Sequence, residues 1–182
     1  MSEILLVTGL PRSGTSLMMQ IISKTAIPIH SDGLREKDSN NPEGYYELEA
    51  VKGIVQDNSF LKDSQGKAVK IVSPLPMYLD KNLKYRAIFM RREMDEILRS
   101  QEKMLNKNQV SEREKFRTIY EFHLKKTYAF FQSNGIPFLD VEYKQLVSDP
   151  VTEITKLVEF CGLDANIEDL AVVVNPELYR NR

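Results

Sequence analysis

A chain of 182 residues with 42% hydrophobic and 28% charged side chains has enough apolar surface for one buried core and the size of one domain, 1–182. Its 25 basic and 26 acidic residues nearly cancel, so no global field favours nucleic acid or an anionic membrane, and anion recognition must be local. No basic leader opens the chain and no apolar run nears the roughly 20 residues of a membrane span, so the expectation is a soluble, cytoplasmic protein. The lone Cys161, in the apolar stretch LVEFCGL, is expected to fill core space in a reducing compartment.

Residues 4–7 form a short unalternating run of branched apolar side chains, the pattern of a strand covered on both faces in a parallel sheet. Residues 13–25 place Leu17, Met18, Ile21 and Ile22 at helical spacing, which supplies the first crossover. The stretch 30–46, rich in Asp, Asn, Gly and Pro, predicts a long irregular loop, a kind that is usually functional. Beyond it, Leu48, Val51, Ile54 and Val55 predict a helix, and 68–72 a strand closed by Ser73 and Pro74.

A third strand is predicted over 87–90, with Arg91 and Arg92 at its carboxyl end. Helices follow over about 93–106 and 112–132, the second ending at Asn134 and Gly135. IPFLDVEY reads as a fourth strand, and 151–161 as a helix stopped by Gly162. Strands alternating with helices predict a three-layer α/β/α fold with a mostly parallel central sheet.

Gly9, four residues, Gly14, Thr15 and Ser16 follow the spacing of a phosphate-binding loop between strand and helix, with Thr15 where such loops carry lysine. The glycines let backbone N–H groups close around an anion, and the positive end of the following helix dipole points at the same place. Arg12, inside the loop, is the replacement cation. The neighbouring strand ends in Arg91 and Arg92, where a nucleotide-hydrolysing enzyme needs a carboxylate for Mg²⁺. A cationic strand end repels a metal and attracts a second phosphate, which points to a nucleotide with anionic groups at both ends of its ribose.

These residues resemble the sulfotransferase family that uses 3′-phosphoadenosine 5′-phosphosulfate (PAPS), whose fold is like that of P-loop nucleoside triphosphate hydrolases. GLPRSGTS is similar to the family's 5′-phosphosulfate loop, in the P-R-S-G-T-[ST] wording of tyrosylprotein and many bacterial members. The family's 3′-phosphate motif, an arginine at a strand end and a serine eight residues on, corresponds to Arg92 and Ser100; Arg91 would instead pair with Arg99. Tyr143, Leu146, Asp149 and Pro150 match Y-x-x-L-x-x-D-P, and a helix ending in FCGL follows. The resemblance implies a sulfonate transfer from PAPS, as co-substrate, to a hydroxyl or amine acceptor.

For that transfer the resemblance assigns the 5′-phosphate to the backbone of Ser13, Gly14, Thr15 and Ser16 with the last two hydroxyls, and the bridging oxygen to Arg12. A sulfonate carries less negative charge than a phosphoryl group, so side-chain cations suffice and no metal is expected. Lys70 stands where similar members carry a lysine that touches the departing group. Val72 stands where the cytosolic branch has its catalytic histidine, so the base lies elsewhere. Glu47 is preferred, because Asn41, Pro42, Gly44, Tyr45 and Glu47 reproduce an N-P-x-G-[YF]-x-E wording of bacterial relatives; Glu49, Glu43 and Asp38 are the other carboxylates of that loop, and His30 a further candidate. A partly closed loop with Tyr45 and Tyr46 nearby would raise the Glu47 pKa towards neutrality, as a base needs. Each assignment has a plain structural counterpart: Glu47 as a carboxylate at a helix start, Arg92 and Ser100 as solvated positions.

The competing readings are a Mg²⁺-dependent P-loop nucleotide kinase or NTPase and a non-catalytic nucleotide-binding protein. Nothing in 28–60 or 104–120 marks the acceptor, although Tyr45, Tyr46, Phe60 and Met77 suggest an apolar lining. The chain is short for the family, so a second subunit in a homodimer is one way to complete the acceptor side. Arg180 and Arg182 give the terminus a basic character that would suit the 3′-phosphate.

Overall fold

The structure is a computed structural model that describes residues 2–34, 44–105 and 112–175. Asn41, Pro42, Asp38, Glu43, Arg180 and Arg182 lie outside the described residues. Four strands, β1 (Ile4–Gly9), β2 (Ala68–Lys70), β3 (Tyr85–Arg91) and β4 (Phe138–Glu142), form an all-parallel sheet in the order β2-β1-β3-β4. The expected parallel α/β fold is therefore the observed one. From β1 the chain first adds β2 on one side and then crosses to β3 on the other. The order thus reverses between β1 and β3, and their carboxyl ends flank the crevice where such sheets bind ligands.

Side chains leave alternate faces of the strands, and both faces are covered. Leu5, Val7, Ala68, Ile88, Met90 and Val141 pack under α1 (Thr15–Ile22), α4 (Tyr143–Ser148), α5 (Pro150–Cys161) and α6 (Ile167–Ala171). Ile4, Leu6, Val69, Ile71, Ala87 and Phe89 face the opposite layer, where α3 (Arg113–Ser133) contributes Phe131. A smaller cluster of Leu10, Ile97, Leu98 and Tyr120 joins α2 (Met94–Leu105) to α3. Full burial of each aliphatic side chain contributes about 2 kcal/mol, which explains why continuous rather than alternating apolar strands belong here.

The predicted helix at 48–55 is corrected. Glu49–Gly53 is a short 3₁₀ segment, followed by two more at Ser59–Ser64 and Leu75–Tyr78. Leu48, Val51 and Ile54 recur every three residues, which is the 3₁₀ period, while Gly53 and branched side chains lower the α-helical propensity. The last strand is also shorter than its sequence pattern suggested, because Tyr143 already opens α4. That helix ends before Pro150, and Asp149 then caps α5, its Oδ1 accepting from the Thr152 N–H at 3.3 Å. Gly162 closes α5 in the left-handed conformation, φ 62°, as its position predicted. Cys161 packs half-buried against the first core, where burial pushes its thiol up to about 11. Among the described residues no helix is long and apolar enough to cross a membrane.

Candidate nucleotide site at the sheet edge

The loop after β1 adopts backbone conformations that its glycines make accessible. Gly9 has φ 145°, and a Cβ built there would sit 2.5 Å from the Met90 carbonyl oxygen and 2.5 Å from Ser13 Oγ. Gly14, at φ 103°, would drive a Cβ into the Tyr143 ring. The loop is thus pressed against β3 below and α4 beside it. Arg12 itself is left-handed, φ 67°, an uncommon state for a side chain of this size. The Ser13 N–H donates to Leu10 at 3.2 Å, while Thr15 and Ser16 open α1, where the first N–H groups of a helix have no partner within it. Ser13 Oγ is buried with no hydrogen-bond partner among the described residues, a donor inside the loop that would fit an incoming anion.

Two cationic centres flank this loop. On the β2 side, the Lys70 ammonium donates to Ser16 Oγ at 3.4 Å, to the Tyr45 carbonyl and to Glu47 Oε1 at 3.2 Å. The Lys70 side chain is 4% exposed and that of Glu47 31%. The structure therefore brings together the loop hydroxyl, Lys70 and Glu47. The helix-start role falls to another group: Asp32 Oδ2 accepts from the Glu49 N–H at 2.5 Å, and backbone donors from Glu49 and Leu34 hold the Asp32 carboxyl below its usual range. Glu49 itself pairs with Lys52 at 2.7 Å, at an exposed position.

On the β3 side, Arg92 Nη1 donates to the Arg12 carbonyl at 3.2 Å, and its Nε to Glu96 Oε2 at 2.9 Å. Its guanidinium also lies over the Tyr143 ring, 4.5 Å from the centroid. Arg12 turns towards α2, its Nε donating to Ser100 Oγ at 3.1 Å and its Nη1 to Met104 Sδ at 3.6 Å. Arg92 and Ser100, paired by the family resemblance, are thus both tied to Arg12, one through its backbone and one through its side chain. Burial pushes the Tyr143 hydroxyl up, with the charges of Arg92, Glu96 and Arg12 acting on it.

Arg91 occupies the other face of β3. It donates to the Tyr128 hydroxyl at 2.8 Å, which in turn donates to Asp140 Oδ1 at 2.5 Å, while Tyr128 stacks on Phe89 with centroids 4.4 Å apart. His30 pairs through Nδ1 with Ser64 Oγ at 2.7 Å, and His123 lies half-buried in α3, where burial lowers its pKa. Phe60 packs, partly buried, against the second core. Sequence reasoning missed Glu96 and Tyr143 as neighbours of Arg92. The four-residue step from Arg92 to Glu96 was a usable signal; the approach of Tyr143 to Gly14 was not, since it spans the whole domain.

These features define a parallel α/β fold with a glycine-bearing loop at its switch point. Residues 84–168, somewhat under half of the chain, match the model of the sulfotransferase family. The fold is similar to that of a sulfotransferase domain from the curacin biosynthetic pathway (12% identity, TM-score 0.56, covering 91% of this chain and 76% of that one). It is also similar to sulfotransferase STF9 from Mycobacterium avium (14% identity, TM-score 0.57, 100% and 69% covered). A third similar structure is the sulfotransferase domain of the Synechococcus PCC 7002 olefin synthase (15% identity, TM-score 0.55, 98% and 79% covered). No curated protein sequence matches the chain significantly. The family model thus matches one part of the chain, and the solved structures show that the fold is shared.

Proposed function

We propose that the chain is a PAPS-dependent sulfotransferase, one domain over 1–182, cytoplasmic and independent of metal, that moves a sulfonate group to a hydroxyl or amine acceptor. The observation that carries this reading is the buried Lys70 ammonium between Ser16 of the phosphate-type loop and the Glu47 carboxylate. It puts a cation and a proton acceptor beside the place where a 5′-phosphosulfate would lie. PAPS supplies an activated sulfonate whose leaving group is the 5′-phosphate of adenosine 3′,5′-bisphosphate.

In this reading the backbone of Ser13, Gly14, Thr15 and Ser16 and the hydroxyls of Thr15 and Ser16 hold the 5′-phosphate, with the N–H groups of the last three carrying most of the load. Glu47 takes the proton of the acceptor as its oxygen or nitrogen bonds to sulfur and the bond from sulfur to the bridging oxygen breaks. Lys70 covers the charge that grows on that oxygen. Arg12 rests on Ser100, so joining Lys70 at the bridging oxygen requires it to take another rotamer. Arg92 and Ser100 hold the 3′-phosphate, and the wording of the loop is closest to the P-R-S-G-T-[ST] branch. A second subunit, if one completes the acceptor side, does so as a homodimer.

Thermal stability measured with adenosine 3′,5′-bisphosphate and, separately, with Mg-ATP tests the donor. A large shift with the bisphosphate is expected; a shift with Mg-ATP alone moves the protein to the kinase or NTPase class. Labelled PAPS with a panel of sugar, phenol, amine and lipid acceptors then reads transfer. Bisphosphate binding without transfer to any acceptor class leaves a nucleotide-binding protein instead.

A further inference from the structure

We propose that Glu96 is a built-in anion that competes with the nucleotide's 3′-phosphate for Arg92, and so limits how tightly this edge holds a 3′-phosphorylated nucleotide. The inference rests on the reading above, in which Arg92 meets that phosphate. Arg92 and Glu96 form an ion pair at 2.9 Å with side chains only 8% and 11% exposed, so the pair is shielded from solvent and from salt. The Arg12 carbonyl and the Tyr143 ring orient the guanidinium without neutralising it. The Glu96 carboxylate does neutralise it.

An incoming 3′-phosphate therefore exchanges one anion for another at Arg92, and meets a like charge already in place. The same arrangement eases release of the spent bisphosphate, whose 3′-phosphate is unchanged by the transfer. A 5′-monophosphate does not reach Arg92 and is indifferent to Glu96. Selectivity between the two nucleotides is thus the property that Glu96 sets, and it differs from general stability, which would affect both alike.

The test is calorimetric titration of the full chain and of Glu96→Gln with adenosine 3′,5′-bisphosphate and with adenosine 5′-monophosphate. Glutamine keeps an oxygen acceptor for Arg92 Nε and removes the charge. The bisphosphate is expected to bind about tenfold more tightly to the variant, with the monophosphate within about twofold. An unchanged ratio, with the unaltered chain binding the bisphosphate, overturns this inference and leaves the sulfotransferase reading standing. A ratio that falls also overturns it, because Glu96 then serves to hold Arg92 in its productive place. No bisphosphate binding by either protein overturns both. If Glu96→Gln does not fold, Glu96→Asp reads the same ratio: the carboxylate withdrawn by one methylene should raise it by a smaller factor, and an unchanged or lower ratio refutes the proposal.

Discussion

The two cationic centres beside the loop are built on opposite plans. Lys70 projects from a strand and meets its carboxylate, Glu47, across 23 positions of sequence; the lysine is shielded while the carboxylate remains partly open to solvent. Arg92 stands at a strand end and meets Glu96 four positions on, with both partners shielded. The first arrangement leaves its carboxylate partly open to solvent. In the second, both members of the pair are shielded from solvent, so a ligand proposed at Arg92 would have to compete with Glu96. The family match covers the second centre and stops short of the loop and Lys70.

Changes to the frame shared by both centres should have the largest effect. Gly9→Ala would place a methyl group 2.5 Å from the Met90 carbonyl at φ 145°, and should cost about 3 kcal/mol of stability by chemical denaturation while abolishing nucleotide binding at both centres. Next, the centres should separate functionally. Glu47→Gln is expected to lower sulfonate transfer about 100-fold while leaving bisphosphate affinity within about threefold, read by single-turnover kinetics beside calorimetry. A parallel loss of affinity would merge the two centres into one binding site.

Arg92→Ala should do the reverse, weakening the bisphosphate about 30-fold and adenosine 5′-monophosphate about twofold. Equal weakening of both nucleotides would remove the 3′-phosphate from this edge. The smallest effect is expected at the neighbouring strand position. Tyr128→Phe unlinks Arg91 from Asp140 and should cost about 1 kcal/mol of stability with no change in bisphosphate affinity, since the ring still stacks on Phe89. A fall in affinity there would mean that Arg91 shares the ligand.

Much of this molecule was legible in the chain because its signals are local. The run at 4–7, the glycines of the loop, the arginines at the carboxyl end of β3 and the terminating Gly162 each act within a few residues, and each appears where its spacing put it. The helix expected at 48–55 failed for a local reason as well: its apolar positions recur every three residues, and that interval was read as the wrong period. Tyr143 at the start of α4 was read as part of a strand, since a short apolar run before Asp-Pro does not distinguish the two.

The chain alone determined a parallel α/β protein with a glycine-bearing loop after its first strand, and the family resemblance singled out Lys70, Glu47, Arg92 and Ser100. Only the tertiary structure decided their partners: Lys70 with Ser16 and Glu47, Arg12 with Ser100, Arg92 with Glu96 and Tyr143. The reason is physical. Backbone periodicity and turn chemistry are properties of neighbouring residues, whereas which charge meets which at a sheet edge depends on strand order and on the side chains that the layers press together.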